Sequence, residues 1–130
     1  MKWWKVKFTY SVELGASLAY KGHFKRTGDL NIHNIYLDEI DHRDTLIMYI
    51  VANHHDPSKL LEVIFRVIGT TVGFLCKIMP IFLLDKVASL LEIFAIYSYY
   101  DLAKEFPEYS DIFIEMAETE ERHREYFSRV

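Results

Sequence analysis

The chain carries one pattern of acids and imidazoles twice, and this repetition restricts its fold more than any other feature. Glu13 is followed by Glu39-x-x-His42, and Glu92 is followed by Glu120-x-x-His123. The Glu-to-Glu separations are 26 and 28 residues. Residues three apart share one face of an α-helix, so each Glu-x-x-His pair converges only if its segment is helical. A chain-reversal signal lies inside each interval. Gly28 stands 15 residues after Glu13 and 11 before Glu39, and Pro107 stands 15 after Glu92 and 13 before Glu120. At ~1.5 Å rise per residue, the two arms of each hairpin bring their ligand candidates to similar heights.

The rest of the sequence agrees with helices and offers few strand signals. Apolar periodicity predicts a first helix over Val6 to Lys25, stopped at Arg26-Thr27-Gly28-Asp29, and a second over Asn31 to Asn53. Residues 58 to 79 read as an apolar connector, helical in its first part, with Gly69 and Gly73 as weak points. Pro80 suits the first turn of a third helix reaching Glu105, and a fourth spans Tyr109 to Arg129. Two hairpins joined by a long connector predict an all-α fold. The expectation is one domain over residues 1–130, a ferritin-like four-helix bundle with its crossover between helices 2 and 3.

Composition narrows the function. Hydrophobic residues make up 51% of the chain, enough for one buried core. The net charge of −4, with no basic patch interleaved with aromatics, argues against nucleic acid as a partner. Cys76 is the single cysteine, which excludes an internal disulfide, a zinc finger and a built-in rubredoxin centre, and fits a cytoplasmic setting. Glu13 interrupts the apolar start, so it is not read as a signal peptide. The apolar stretch from Leu60 to Tyr100 is broken by charges into pieces shorter than the ~18 residues of a spanning helix, which leaves peripheral contact with a membrane surface open.

The six repeated residues suit two metal ions. Four buried carboxylates would repel one another, and some would have to stay protonated. Two divalent cations resolve that conflict. The ligand set Glu13, Glu39, His42, Glu92, Glu120 and His123 matches the carboxylate-bridged di-iron arrangement, with manganese an alternative for the same donors. Glu39 and Glu120 are expected to bridge, His42 and His123 to cap one metal each, and Glu13 and Glu92 to be terminal. A single Glu-x-x-His is usually a solvated pair, but two in matched hairpins need a cause. Glu92 is the sharpest element, because an unpaired carboxylate within Leu90-Leu91-Glu92-Ile93-Phe94 would cost several kcal/mol.

Tyr20 and Tyr99 each follow the first Glu of their hairpin by seven residues. They are read either as phenols beside the ligands, with a catalytic role, or as core tyrosines. Tyr49 invites the same choice. His54 and His55 read as structural residues at a helix end, and His23 and His33 as solvated residues flanking the first turn. Glu115, Glu118, Glu121 and Glu125 read as the wet face of the fourth helix, and Asp38 as a weak candidate for orienting a ligand. Trp3, Trp4 and Phe8 are read as part of an apolar surface or as packed.

Glu13-Leu14-Gly15-Ala16, followed by Ala19-Tyr20-Lys21-Gly22-His23, resembles the first-helix motif of the demethoxyubiquinone hydroxylase family. That motif reads Glu-x-Gly-Ala and then Ile-Tyr-x-Gly-Gln. The segments holding Glu39-x-x-His42, Glu92 and Glu120-x-x-His123 are similar to the family's other ligand helices and to those of ferritin-like proteins such as rubrerythrins. His23 replaces the family's Gln, Ser98 replaces a His, and both hairpins are shorter. The resemblance implies a di-iron monooxygenase that uses O₂, a hydrophobic quinone-like substrate and an electron donor at a membrane surface. The alternative is a rubrerythrin-like peroxidase or ferroxidase that takes electrons from a separate protein or reduced cofactor. A third expectation is iron storage, or a structural bundle forming a homodimer through apolar faces.

Overall fold

A computed structural model describes residues 2–128, and among them the secondary structure is entirely helical, an all-α fold. The helices are α1 (Trp3–Thr27), α2 (Leu30–Ala52), α3 (Lys59–Leu75), α4 (Ile81–Glu105) and α5 (Ser110–Ser128), with a 3₁₀ turn at Pro107–Tyr109. The expected end of the last helix at Arg129 lies outside the described residues. The chain divides into two compact units, residues 1–78 and 79–130.

In the first unit α1 packs against both α2 and α3. Gly28 ends α1 in the left-handed region at φ 66°, and its N–H donates to Phe24 O at 2.7 Å. Asp29 then starts α2, its carboxylate accepting from the Asn31 N–H at 2.9 Å. α2 stops at Asn53, whose side-chain amide donates to Tyr49 O. His54 takes φ 61° and the His55 N–H reaches back to Ile50 O, a left-handed helix stop. His55 then stacks on Trp3 with centroids 5.0 Å apart, which ties the end of α2 to the start of α1. Trp3 is therefore packed, Phe8 meets Phe65 edge-on, and Trp4 is 63% exposed.

The connector departs from expectation. Rather than weakening at its glycines, α3 runs unbroken for 17 residues through Gly69 and Gly73. Both glycines are buried against α1. A methyl group on Gly69 would stand 2.8 Å from the Gly15 Cα, and one on Gly73 would stand 2.9 Å from Leu18 O. Glycine's low helix propensity is thus outweighed by a close backbone-to-backbone crossing that no larger residue permits. Gly15 and Gly22 of α1 lie on the other side of this contact.

In the second unit α4 packs along α5. Pro80 precedes α4 as its N-cap rather than standing inside the first turn. Phe106, buried at the end of α4, leads into Pro107, and the 3₁₀ turn reverses the chain. Phe113 anchors this end, in contact with the rings of Tyr99, Phe106 and Tyr109.

Candidate metal centre

Each unit buries one copy of the repeated triad. In the first, α1 supplies Glu13, and α2 supplies Glu39 and His42 from adjacent positions on one face. Their exposures are 2%, 1% and 4%. One donor atom from each lies within 4.8 Å of the others. The pair that crosses between helices is His42 Nδ1 and Glu13 Oε2, at 3.6 Å. The buried Ser11 and Ser17 hydroxyls of α1 are satisfied within their own helix, donating to Lys7 O and Leu14 O.

In the second unit α4 supplies Glu92, and α5 supplies Glu120 and His123. These too are buried, with donor atoms mutually within 4.8 Å. His123 Nδ1 stands 3.2 Å from Glu120 Oε2 and 3.6 Å from Glu92 Oε2. Burial pushes the Glu92 carboxyl well above the ordinary value of 4.5. The negative charge and hydrogen bond of Glu120 add to this, and His123 opposes it. Without a cation, the Glu92 carboxyl therefore keeps its proton to higher pH than an ordinary carboxyl does.

Donors bound to one ion at ~2.1 Å stand about 3–4 Å apart. The measured separations of 3.2 Å and 3.6 Å fall in that range. Oxygen and imidazole nitrogen donors suit iron, manganese or zinc rather than soft-ligand metals. Each triad therefore could hold one divalent cation, which would compete with the proton on Glu92.

The tyrosines of the repeat are buried two helical turns beyond the first Glu of each triad. This sets them about 10 Å along the helix from those carboxylates. The Tyr20 ring stacks with His23, and the Tyr99 ring with Phe113. Tyr49 is buried as well, while Asp38 is half-buried. Glu115, Glu118, Glu121 and Glu125 are exposed, as expected of a wet face, and the Tyr100 hydroxyl donates to Glu121 at 2.9 Å.

Two histidine expectations need revision. His23 is 3% exposed rather than solvated, on the inward face of α1 with its ring stacked on Tyr20. His33 is half-buried against Phe24, with centroids 4.8 Å apart. Two further residues went unnoticed in the sequence. Tyr10, one turn before Glu13, is buried, and its phenol is pushed up by burial and then by the Glu62 carboxylate to which it hydrogen-bonds. Asp85 is buried on α4, seven residues before Glu92. The seven-residue interval Asp85–Glu92–Tyr99 was the available signal. In the sequence Asp85 is one of the charges that break the apolar stretch from Leu60 to Tyr100.

Comparisons with protein-family models, with curated proteins and with solved structures found no match to this chain.

Proposed function

We propose that the chain is a di-iron carboxylate oxidoreductase that activates O₂ toward a hydrophobic, quinone-like small molecule. The observation that carries this reading is the burial, in each unit, of a Glu–Glu–His triad with donor atoms spaced for one cation. Two such triads supply four carboxylates, which balance two divalent ions, and two imidazoles. The reading takes α1, α2, α4 and α5 as the ligand helices of a ferritin-like bundle and α3 as its crossover. Bound iron supplies redox and Lewis-acid chemistry. The residues of the chain hold the cations and exclude bulk water from the buried donors.

A peroxidase or ferroxidase of rubrerythrin type is the second reading. It is favoured less because α4 carries Ser89 and Ala95 where a further carboxylate one turn from Glu92 would be expected. Either reading needs an external electron donor, since Cys76 alone builds no redox centre. The test is anaerobic loading with ferrous iron, followed by mixing with O₂ or with hydrogen peroxide. Faster optical oxidation by O₂, accelerated by a short-chain quinone analogue, supports the oxygenase. Faster oxidation by peroxide supports the alternative. No oxidation by either overturns both.

A further inference from the structure

Glycines facing each other let two helix backbones approach closely, and side chains beside the crossing are then brought within reach of one another. α1 and α3 cross in this way. A methyl group on Gly15 would stand 2.8 Å from Phe65 O, and one on Gly69 would stand 2.8 Å from the Gly15 Cα. Phe65 meets Phe8 of α1 edge-on, with centroids 5.6 Å apart. One turn before Phe65 stands Glu62, and its carboxylate accepts the hydrogen bond of the Tyr10 hydroxyl on α1. Tyr10 is 8% exposed, whereas Glu62 is half-buried and Arg66 beyond it is exposed. The donor end of this bond is therefore in the core, and the acceptor end reaches toward solvent.

The core end lies beside the first triad. Tyr10 precedes Glu13 by three residues, and both are buried on one face of α1. The rise between them is ~4.5 Å, against ~10 Å between Glu13 and Tyr20 or between Glu92 and Tyr99. The Tyr10 phenol also lies in the field of the Arg43 guanidinium, from the residue that follows His42 on α2. Tyr10 is thus the tyrosine one turn from a triad carboxylate, and it carries a built-in base. A phenol gives up an electron readily only when its proton leaves in the same step, and a hydrogen-bonded carboxylate is placed to take that proton.

We propose that Tyr10 is a redox-active phenol that supplies one electron to iron at the first triad, with Glu62 as its proton acceptor. The inference rests on the iron reading of the triads. The oxidant is iron that O₂ has taken one electron above the ferric state, and the step returns it to ferric. The Tyr10 O–H bond breaks, its proton forms an O–H bond with a Glu62 carboxylate oxygen, and its electron goes to the iron. A neutral phenoxyl radical is left on Tyr10. One electron from the external donor and the proton held by Glu62 restore the phenol. When no substrate is bound, oxidising power is thereby drawn onto a side chain that can be restored rather than onto the ligands.

The full chain is loaded anaerobically with ferrous iron and mixed with O₂ in the absence of substrate and reductant. Samples frozen at intervals are read by electron paramagnetic resonance, beside the optical signal of iron oxidation. The expected result is a phenoxyl signal that narrows in protein grown on ring-deuterated tyrosine. It should be lost in Tyr10→Phe and retained in Tyr20→Phe. Glu62→Gln keeps an acceptor oxygen but no basic carboxylate, and should slow the appearance of the signal on the order of 100-fold. Each variant should keep native helicity and native metal per chain. Iron oxidation with no phenoxyl signal overturns the inference and leaves the oxygenase reading standing, as does a signal that survives in Tyr10→Phe. An unchanged rate in Glu62→Gln overturns the role of Glu62. Iron that O₂ does not oxidise overturns the oxygenase reading and the inference with it.

Discussion

In residues 1–78 the triad histidine meets a carboxylate across helices, with His42 3.6 Å from Glu13. In residues 79–130 His123 repeats that crossing at 3.6 Å to Glu92 and also approaches Glu120 of its own helix at 3.2 Å. The crossing distance is therefore common to both units, although almost everything around it differs. The first unit reverses at a left-handed glycine, the second at a proline-led 3₁₀ turn. The first carries ten Lys and Arg against eight Asp and Glu, while the second carries five against eleven. The first adds α3, packed through glycines. What repeats is the spacing of ligands on a hairpin. Turn chemistry and surface charge are free to diverge once that spacing is met.

The comparison breaks most visibly if the two triads do not respond to metal alike. Saturating ferrous iron or manganese should raise the melting temperature on the order of 10 °C, since ligand at 100 times Kd adds about 2.7 kcal/mol per site. Differential scanning calorimetry with and without chelator checks this, and a change below 2–3 °C, or about 1 kcal/mol, would show that neither triad binds appreciably. A somewhat smaller effect is expected at the glycine crossing, which only the first unit has. Gly69→Leu should destabilise by about 2–3 kcal/mol in urea unfolding through overpacking against Gly15. A neutral result would mean that α3 does not approach α1 closely.

Proton linkage sharpens the contrast further. Glu92 has a raised pKa in the folded chain, so in metal-free protein its contribution is fully present below the ordinary value of 4.5. That contribution is lost as pH rises through the raised folded value. Metal-free protein should therefore become less stable as pH rises across that window. Glu92→Gln should remove the slope and stabilise the metal-free chain by about 1–2 kcal/mol at neutral pH. Chemical denaturation over a pH series with chelator present measures both, and an unchanged slope in the variant would remove Glu92 as its source. The smallest effect belongs to the first turn, where Asp29→Ala should cost about 1 kcal/mol by removing the N-cap of α2. Thermal melting monitored by circular dichroism reads this loss, and no change would show that the cap is dispensable.

The positions that converge were legible in the sequence because they depend on helical period and turn residues, both local properties. Gly28 and Pro107 fixed the reversals, and the i, i+3 spacing set Glu39 beside His42 and Glu120 beside His123. The parts that were not legible depend on tertiary contact. Gly69 and Gly73 read as helix breakers because propensity contains no information about the glycines of α1 against which they pack. His23 read as solvated because its nearness to the turn at Gly28 gives no sign of which face of α1 it occupies. Asp85 read as an interruption because a charge in an apolar run gives no sign of which side of the helix it occupies. The outward apolar residues of α3 were visible only as hydrophobic content, since the direction of the helix is set by Gly69, Gly73, Phe65 and Glu62 turning toward α1.

The central claim is that the two buried triads hold two ions in one chain. Protein from iron-supplemented cells, with metal per chain measured by plasma mass spectrometry beside a Glu120→Ala variant, tests this most directly. The account predicts about two irons per chain in the native protein and a large loss in the variant. Less than about one tenth of a metal per chain, with the variant no less stable than the native protein, would contradict it.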